Sequence, residues 1–185
     1  MLMLVMVMLV CIPNATARED FYAAGVMLIA HKDGSPYLLL GKPRGRQWYE
    51  FFAGRQGTTS DDHGRRSETA YETALRETYE ESRGYLSRDY LHEVMNEDQY
   101  LTDGGFVYFR AVIEPFAIED MRVVPVPLSD TPLAFTEISD YAWVNVDAII
   151  ASENAVVVDE AGRSIDVRPQ LKGRVLRARE EGWLD

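Results

Sequence analysis

One stretch, Arg76 to Gly84, limits what this chain can fold into more than any other: Arg-Glu-Thr-Tyr-Glu-Glu-Ser-Arg-Gly. It predicts the second half of a helix, with Ser67 as the N-cap and Gly84 as the C′ residue that closes it. At about 100° per residue, Leu75 and Thr78 share a side that can face a core. The remaining sides are available for charged groups.

Three glutamates of this helix share another side: Glu77, Glu80 and Glu81. Like charges three or four residues apart cost about 0.2–0.5 kcal/mol per pair, and the helix dipole disfavours anions in the last turns. Arg76 offsets part of this cost and forms a favourable i, i+4 pair with Glu72. A cluster that opposes local preferences is a candidate site, and its complement is a hard divalent cation such as Mg²⁺. The alternative is a solvated, salt-bridged helix face.

The order of these residues resembles the Nudix box, the signature of the Nudix hydrolases. Glu68, seven further residues, then Arg-Glu-x-x-Glu-Glu and a nearby Gly follow that pattern, and its second half is nearly intact. Three departures stand out. Thr78 replaces the usual aliphatic residue, two residues instead of one precede Gly84, and Asp62 stands where the pattern has its first Gly.

The segment from Trp48 to Arg55 resembles the family's Trp-x-Phe-Pro-Gly-Gly-Lys, with Phe52 for Pro and Ala53 for the first Gly. On this alignment, the thirteen residues 55–67 separate Gly54 from Glu68, where the family has five. The extra residues, within 56–66, are polar and contain Gly. We expect a mobile surface loop beside the site.

The resemblance implies an α/β domain with the Nudix fold, a mixed β-sheet sandwiched between α-helices. It implies hydrolysis of a diphosphate linkage in a nucleoside diphosphate joined to another group, with Mg²⁺ or Mn²⁺ as the cofactor. Glu77, Glu80 and Glu81 would be the metal ligands, and Glu77 or Glu137 would accept the proton of the attacking water. For Glu137, a surface glutamate at a strand entrance is the alternative.

The resemblance also assigns supporting roles. Arg76 would orient the glutamates with Glu68 as its ion-pair partner, and Gly54 would let the loop backbone approach the helix. Candidate substrate-binding residues are Gly54, Arg55, Arg44 and Arg46. Ordinary surface charge is the alternative for the arginines. A non-catalytic nucleotide-binding module and an enzyme that removes RNA caps are the rival functions.

Composition restricts the partners. A chain of 185 residues with 46% hydrophobic residues can form one domain with a substantial core. Its net charge of −11 and lack of a basic run argue against a free-standing nucleic-acid binder. A local basic path of Lys42, Arg44, Arg46, Arg55, Arg65 and Arg66 keeps RNA open as a partner. The single Cys11 cannot form an internal disulfide, which fits a reducing compartment.

Residues 1–12 are continuously apolar, which is too short for a membrane-spanning helix. Their length fits a signal peptide, and Ala15-Thr16-Ala17 resembles a cleavage site, but no Lys or Arg precedes the run. We therefore expect residues 1–17 to form an ordered extension that packs on the domain, residues 18–185, or on a second copy in a homodimer. The expected compartment is the cytoplasm, with secretion as the alternative.

Residue patterns predict the other elements. We expect strands at Ala23–Ile29, Tyr37–Leu40 and Phe106–Ile113, and a hairpin of Ala155–Val158 with Ile165–Val167. We expect a linker or short strand at 86–99 and a loop or edge segment at 121–132. The stretch Phe135–Val144 resembles the family's segment in which a Glu precedes a Trp-Val strand, and the resemblance implies a short helix after it, at Val146–Ser152. A C-terminal helix is expected at Pro169–Glu181, with Leu171, Val175 and Leu176 facing the core and Trp183 docking after it.

Overall fold

The structure is a computed structural model that describes residues 21–61, 64–125 and 133–185. The apolar segment 1–17 and its expected packing lie outside the described residues. The elements in chain order are β1 (Ala23–Lys32), β2 (Ser35–Pro43), β3 (Trp48–Tyr49), β4 (Phe52–Arg55), β5 (Thr58–Asp61), β6 (Gly64–Ser67), α1 (Ala70–Glu81), α2 (Arg88–Val94), β7 (Met95–Asp103), β8 (Phe106–Val112), α3 (Ile118–Arg122), a 3₁₀ turn (Ala134–Thr136), β9 (Ile138–Asn145), α4 (Val146–Ala151), β10 (Val156–Val158), β11 (Ser164–Val167) and α5 (Leu171–Glu180).

Strand β1 is the centre of a mixed six-stranded sheet. The strand order is β7-β8-β1-β2-β9, with β1 parallel to β8 and antiparallel to β2. The first half of β1 pairs with β4 (Ala23 with Arg55, Val26 with Phe52), and the second half pairs with β2. Gly54 therefore lies beside the first half of β1, where it pairs with Ala24.

Alternating residues of the sheet face two separate apolar clusters. Val26, Leu28 and Leu39 belong to the cluster on the side of α1 and α2, whereas Met27 and Ile29 belong to the cluster on the side of α4 and α5. Fully burying one such side chain contributes about 1.5–3 kcal/mol. Helices therefore cover both faces, and the predicted α/β fold, a mixed sheet sandwiched between helices, is confirmed.

The start and end of α1 differ from the prediction. Ser67 is not the N-cap, because it is paired with Thr58 in a hairpin; Thr69 is the N-cap, and its side chain and Glu72 form a capping box. At the other end, Arg83 (φ 58°) occupies the C′ position and Gly84 (φ 77°) follows it. The Gly84 N–H donates to the Tyr79 carbonyl at 2.7 Å, which completes a Schellman motif.

Four other expectations were wrong in whole or in part. The segment predicted as a loop after Gly54 contains the antiparallel hairpin β5–β6, and the range 86–99 contains α2 and much of β7. Leu176 is 37% exposed, whereas Ala178 takes its place in the core. The predicted loop at 121–132 begins within α3, where Met121 is fully buried; residues 126–132 lie outside the described ranges.

The remaining predicted elements are confirmed, with small shifts at their ends. β10 and β11 form the expected hairpin, β11 also pairs in parallel with β3, and Trp183 docks into the core at 6% exposure. Within the described ranges, no helix is long and apolar enough to cross a membrane.

Candidate active site

The carboxylate patch forms where α1 packs against β4. The expected helical spacing places Glu77, Glu80 and Glu81 together, but Glu77 and Glu81 are buried, at 9% and 7% exposure, rather than solvated. The Ala53 N–H donates to Glu81 Oε2 at 2.9 Å. The backbone of β4 thus forms one wall of the patch.

Gly54 is the point of closest approach between this wall and the helix. A Cβ atom at residue 54 would lie 2.0 Å from the Glu77 carboxyl carbon and 2.2 Å from each of its oxygens. A side chain at this position would therefore displace the Glu77 carboxylate. The expectation that Gly54 permits close approach is met by this contact.

Burial disfavours the charged form of both inner glutamates. Burial raises the pKa of Glu77 to about 7, which Arg76 opposes and Glu80 reinforces. Burial and the Glu77 charge raise the pKa of Glu81 well above its ordinary value, although the Ala53 N–H opposes this. The two carboxylates thus lie close together, and burial outweighs the positive charge of Arg76 at Glu77.

Arg76 connects the patch to Glu68. Its Nε lies 2.8 Å from Glu68 Oε1 and its Nη2 lies 3.1 Å from Glu68 Oε2, in the two-point geometry typical of strong pairs. Its Nη1 reaches Glu77 Oε1 at 2.8 Å and Glu80 Oε2 at 3.0 Å. Arg76 therefore orients two members of the patch, whereas the expected pair with Glu72 is replaced by an ion pair between Glu72 and Arg66.

Gly57 is a supporting residue that the sequence analysis missed. Its N–H donates to Glu68 Oε2 at 3.0 Å, and a Cβ there would lie 2.7 Å from the same oxygen. Thr73 Oγ1 donates to this oxygen at 3.0 Å. Burial opposes ionisation of Glu68, but the bonds from Arg76, Gly57 and Thr73 hold its pKa below its ordinary value. No sequence signal distinguishes Gly57 from the other glycines nearby.

Glu137 lies between the 3₁₀ turn and β9, near the patch. Its side chain is exposed, and its charge contributes to the raised pKa of both Glu77 and Glu81. The Arg44 N–H donates to the Glu137 carbonyl at 2.6 Å, and Arg44 Nε donates to the Thr136 carbonyl at 3.0 Å. The structure thus brings Glu137 and Arg44 to the edge of the patch.

The other two candidate arginines lie on aromatic rings. Arg46 is 5.4 Å from the ring centre of Trp48, and Arg55 is 5.1 Å from that of Tyr22. Both side chains are exposed. The Arg55 carbonyl accepts a bond from Arg76 Nη2 at 3.0 Å, so its backbone belongs to the patch.

Glu50 is a further acidic residue that the sequence analysis did not single out. Its charge contributes to the raised pKa of Glu81, and it forms an ion pair with Arg168. Its backbone is held by two 2.9 Å hydrogen bonds to Gly41. Its place three residues before Ala53, in the segment that resembles the family pattern, was the available signal.

The carboxylates of the patch suit a hard cation whose remaining ligands come from water and substrate. Among the described residues, no group of three or more His, Cys, Asp or Glu side chains is already arranged to hold a metal ion. Mg²⁺ usually takes only one or two protein carboxylates and obtains its other ligands from water and substrate phosphates. Two buried carboxylates with raised pKa values fit that requirement.

Comparison with known proteins adds a likeness in fold. No protein-family model and no curated protein matches the chain. Among solved structures, a C. elegans Ap4A hydrolase in a binary complex is 17% identical (TM-score 0.47, covering 86% of this chain and 97% of that one). The Nudix domain of Shewanella oneidensis NrtR with ADP-ribose is 13% identical (TM-score 0.45, covering 88% of both chains).

A Nudix hydrolase from Listeria monocytogenes, described as a candidate member, is 14% identical (TM-score 0.46, covering 89% of this chain and 97% of that one). At these identities and TM-scores, the likeness assigns no roles to individual residues. The last two structures are named as Nudix proteins, the family that the stretch from Arg76 to Gly84 resembles.

Proposed function

We propose that this protein is a Nudix-type hydrolase that uses Mg²⁺ or Mn²⁺ to cleave the diphosphate linkage of a nucleoside diphosphate joined to another group. The observation that carries the proposal is the pair of buried carboxylates, Glu77 and Glu81, packed against Gly54 and Ala53. Burial disfavours the charged form of both carboxylates, and a bound cation would offset that cost.

Glu77, Glu80 and Glu81 would hold the cation. When bound, it would neutralise charge on the diphosphate oxygens and acidify a water molecule. Arg76 holds Glu77 and Glu80 in place through bonds of 2.8 and 3.0 Å. The Ala53 N–H does the same for Glu81.

Glu137 is the proton acceptor that the geometry favours. Its exposed carboxylate is close enough to raise the pKa of Glu77 and Glu81, whereas Glu77 is engaged by Arg76. Water attack forms one P–O bond, breaks the bridging P–O bond and transfers the water proton to this carboxylate. Arg44, beside Glu137, would contact substrate phosphate, and Arg46 and Arg55 would extend the contact surface.

A non-catalytic nucleotide-binding module is the second candidate, because Ala53 replaces a glycine of the family pattern. The structure weakens this argument. The feature that residue 53 contributes is its backbone N–H, which donates to Glu81 at 2.9 Å and which alanine retains.

Turnover of nucleoside triphosphates, ADP-ribose, nucleotide sugars, dinucleotides and capped RNA with Mg²⁺, Mn²⁺ or chelator tests the proposal. We expect metal-dependent turnover of at least one substrate, and loss of about a hundredfold or more in Glu80→Gln. Glu93→Gln, an exposed glutamate of α2, is the matched control and should retain normal turnover. Equal turnover of the two variants at saturating Mg²⁺ would contradict the assignment, and nucleotide binding without phosphate release would favour the binding module.

A further inference from the structure

A second cavity lies at the other end of β9, away from the carboxylate patch. Its volume is about 590 Å³, which is within the usual range for small-molecule sites. Glu137 precedes β9, and Trp143, which lines the cavity, is six residues further along, about 20 Å at the usual rise per strand residue. Lys32, which lines the cavity, is eight residues along β1 from Ala24, the partner of Gly54, so this side of the cavity lies far from the patch.

Three cationic side chains enter this cavity from three different elements: Lys32 at the end of β1, Arg122 of α3, and Arg163 in the turn between β10 and β11. Their apolar counterpart is formed by Phe116, Ile118 and Trp143. Three acidic side chains, Glu119, Asp159 and Glu160, line the same cavity, so the cations are balanced by acids of the lining.

Lys32 is the most enclosed of the three. Its side chain is 18% exposed, and its ammonium group lies 5.0 Å from the centre of the Trp143 ring and 5.6 Å from that of Tyr37. Its carboxylate partner Glu160 is much more open, with 46% of its side chain exposed. An exposed partner contributes little to such a pair, so another anion can replace it at low cost.

The two arginines are also held by acidic side chains. Arg122 forms ion pairs with Asp140 and, at 3.3 Å, with Glu119, whose side chain is 74% exposed. Arg163 is fixed by Asp159 at 2.7 Å, by Asp140 at 2.8 Å and by the Tyr141 carbonyl at 3.0 Å. A guanidinium group has five N–H donors, so these three bonds do not exhaust it. Asp159 and Asp140 orient the two arginines, and the exposed glutamates can be displaced.

From this geometry we infer that the cavity formed by α3, β9 and the β10–β11 turn is a second ligand site, which binds a phosphate monoester that carries a flat apolar body. The phosphate replaces Glu160 and Glu119 on Lys32 and Arg122, and the apolar body packs against Phe116 and Ile118. Phosphate suits three converging donors because it carries about two negative charges and three acceptor oxygens.

Phenyl phosphate is the probe for this site, and the experiment is done in chelator so that the carboxylate patch holds no metal ion. The Trp143 indole N–H, which donates to the Phe116 carbonyl at 2.9 Å, is the reporter in ¹⁵N NMR spectra. We expect a saturable shift of this resonance with phenyl phosphate. Phenol and inorganic phosphate alone should bind about tenfold more weakly, because each lacks half of the contacts.

Two variants should change the affinity for phenyl phosphate in opposite directions. Lys32→Met should weaken phenyl phosphate about tenfold, whereas Glu160→Gln should strengthen it, because it removes the competing carboxylate. Lys172→Met, on α5, is the control and should bind as the wild type does. The inference fails if no saturable shift of Trp143 occurs, or if Lys32→Met and Glu160→Gln change the affinity in the same direction. Failure to fold in Lys32→Met leaves Glu160→Gln as the deciding variant.

Discussion

Two pairs of glutamates in and beside α1 have opposite environments. Arg66 holds the pKa of Glu72 down to about 2, and the bonds from Arg76 outweigh burial to lower that of Glu68. Burial instead raises the pKa of Glu77 to about 7 and raises that of Glu81 well above its ordinary value. Glutamate side chains about two helical turns apart thus differ: the charged form is stabilised in the first pair and destabilised in the second.

The difference follows from the donors that each pair receives. Glu68 accepts bonds from Arg76, Gly57 and Thr73, and Glu72 accepts from Arg66 and the Thr69 N–H. In the second pair, Glu77 shares one nitrogen of Arg76 with Glu80, and Glu81 is held by the Ala53 N–H. The first pair fixes the helix and the hairpin, whereas burial leaves the second pair disfavoured in its charged form.

The largest expected effect distinguishes the two pairs directly. Glu81→Gln should lower turnover by about a hundredfold or more, because it removes a ligand charge. In chelator its melting temperature should hold or rise, because the charged form is disfavoured by burial. Turnover and thermal melts of the same preparation provide the measurement.

Glu68→Gln is the matched change in the first pair. It should lower stability by about 1.5–3 kcal/mol, since it removes the charge from the bonds to Arg76. If both variants were destabilised in chelator to the same degree, the contrast between the pairs would be wrong.

Two glycines beside the site give the next largest effect. A Cβ at residue 25 would lie 2.2 Å from the Phe52 carbonyl oxygen and 2.3 Å from the Ala53 Cβ, so Gly25→Ala must move a paired strand. A Cβ at residue 54 meets only the end of the Glu77 side chain, which can swing away. We expect Gly25→Ala to cost several kcal/mol, about 2–5, and Gly54→Ala to lose turnover with a smaller loss of stability.

Denaturant unfolding and turnover of these two variants check this prediction. Full activity in Gly54→Ala would mean that the position of the Glu77 carboxylate is not important for catalysis. A folded, stable Gly25→Ala would show that β4 can shift away from β1.

The pH dependence of stability gives the third effect. The pKa of Glu77 is raised from its ordinary 4.5 to about 7, so the folded state is penalised above pH 7, and the penalty disappears as the pH falls towards 4.5. Glu68 and Glu72 have lowered pKa values and lose their stabilising contribution only below about pH 4.5. In chelator, protonation of Glu77 should raise the free energy of unfolding by about 1–3 kcal/mol as the pH falls from 8 to 5.

Denaturant melts of the wild type and of Glu77→Gln across this range isolate the effect, since other titrating groups are common to both. The wild type should gain stability relative to Glu77→Gln as the pH falls. Parallel curves for the two proteins would mean that Glu77 is not strained in its charged form.

Helical spacing was sufficient to predict the patch, because three of its members are in one helix and helical geometry is local. It was not sufficient to predict their burial, which depends on how β4 pairs with β1. Glu50 and Arg168 are 118 residues apart, and no local pattern connects them. The start of α1 was predictable in principle, because Thr69-x-x-Glu72 is a capping-box pattern that Ser67 lacks.

The hairpin β5–β6 was missed for a different reason. Strands are predicted from alternating apolar and polar residues, and the described parts of this hairpin are polar throughout. Its base is instead fixed by backbone bonds, with the Glu68 N–H donating to the Gly57 carbonyl at 3.1 Å and Gln56 Nε2 donating to the Glu68 carbonyl at 2.8 Å. The same Glu68 pairs with Arg76, so the hairpin is attached to the residues that orient the patch.

Replacing residues 58–67 by a two-residue Asn-Gly turn is expected to have the smallest effect, because it retains Gly57 and Glu68 and the contacts between them. The hairpin exposes Arg65, so its loss should change KM several-fold, on the scale of one surface charge contact, while kcat and the Mg²⁺ dependence stay near those of the wild type. Steady-state kinetics at several Mg²⁺ concentrations measure both. If the shortened protein lost its Mg²⁺ dependence, the hairpin would be part of the machinery that orients Arg76, and the first pair of glutamates would not be purely structural.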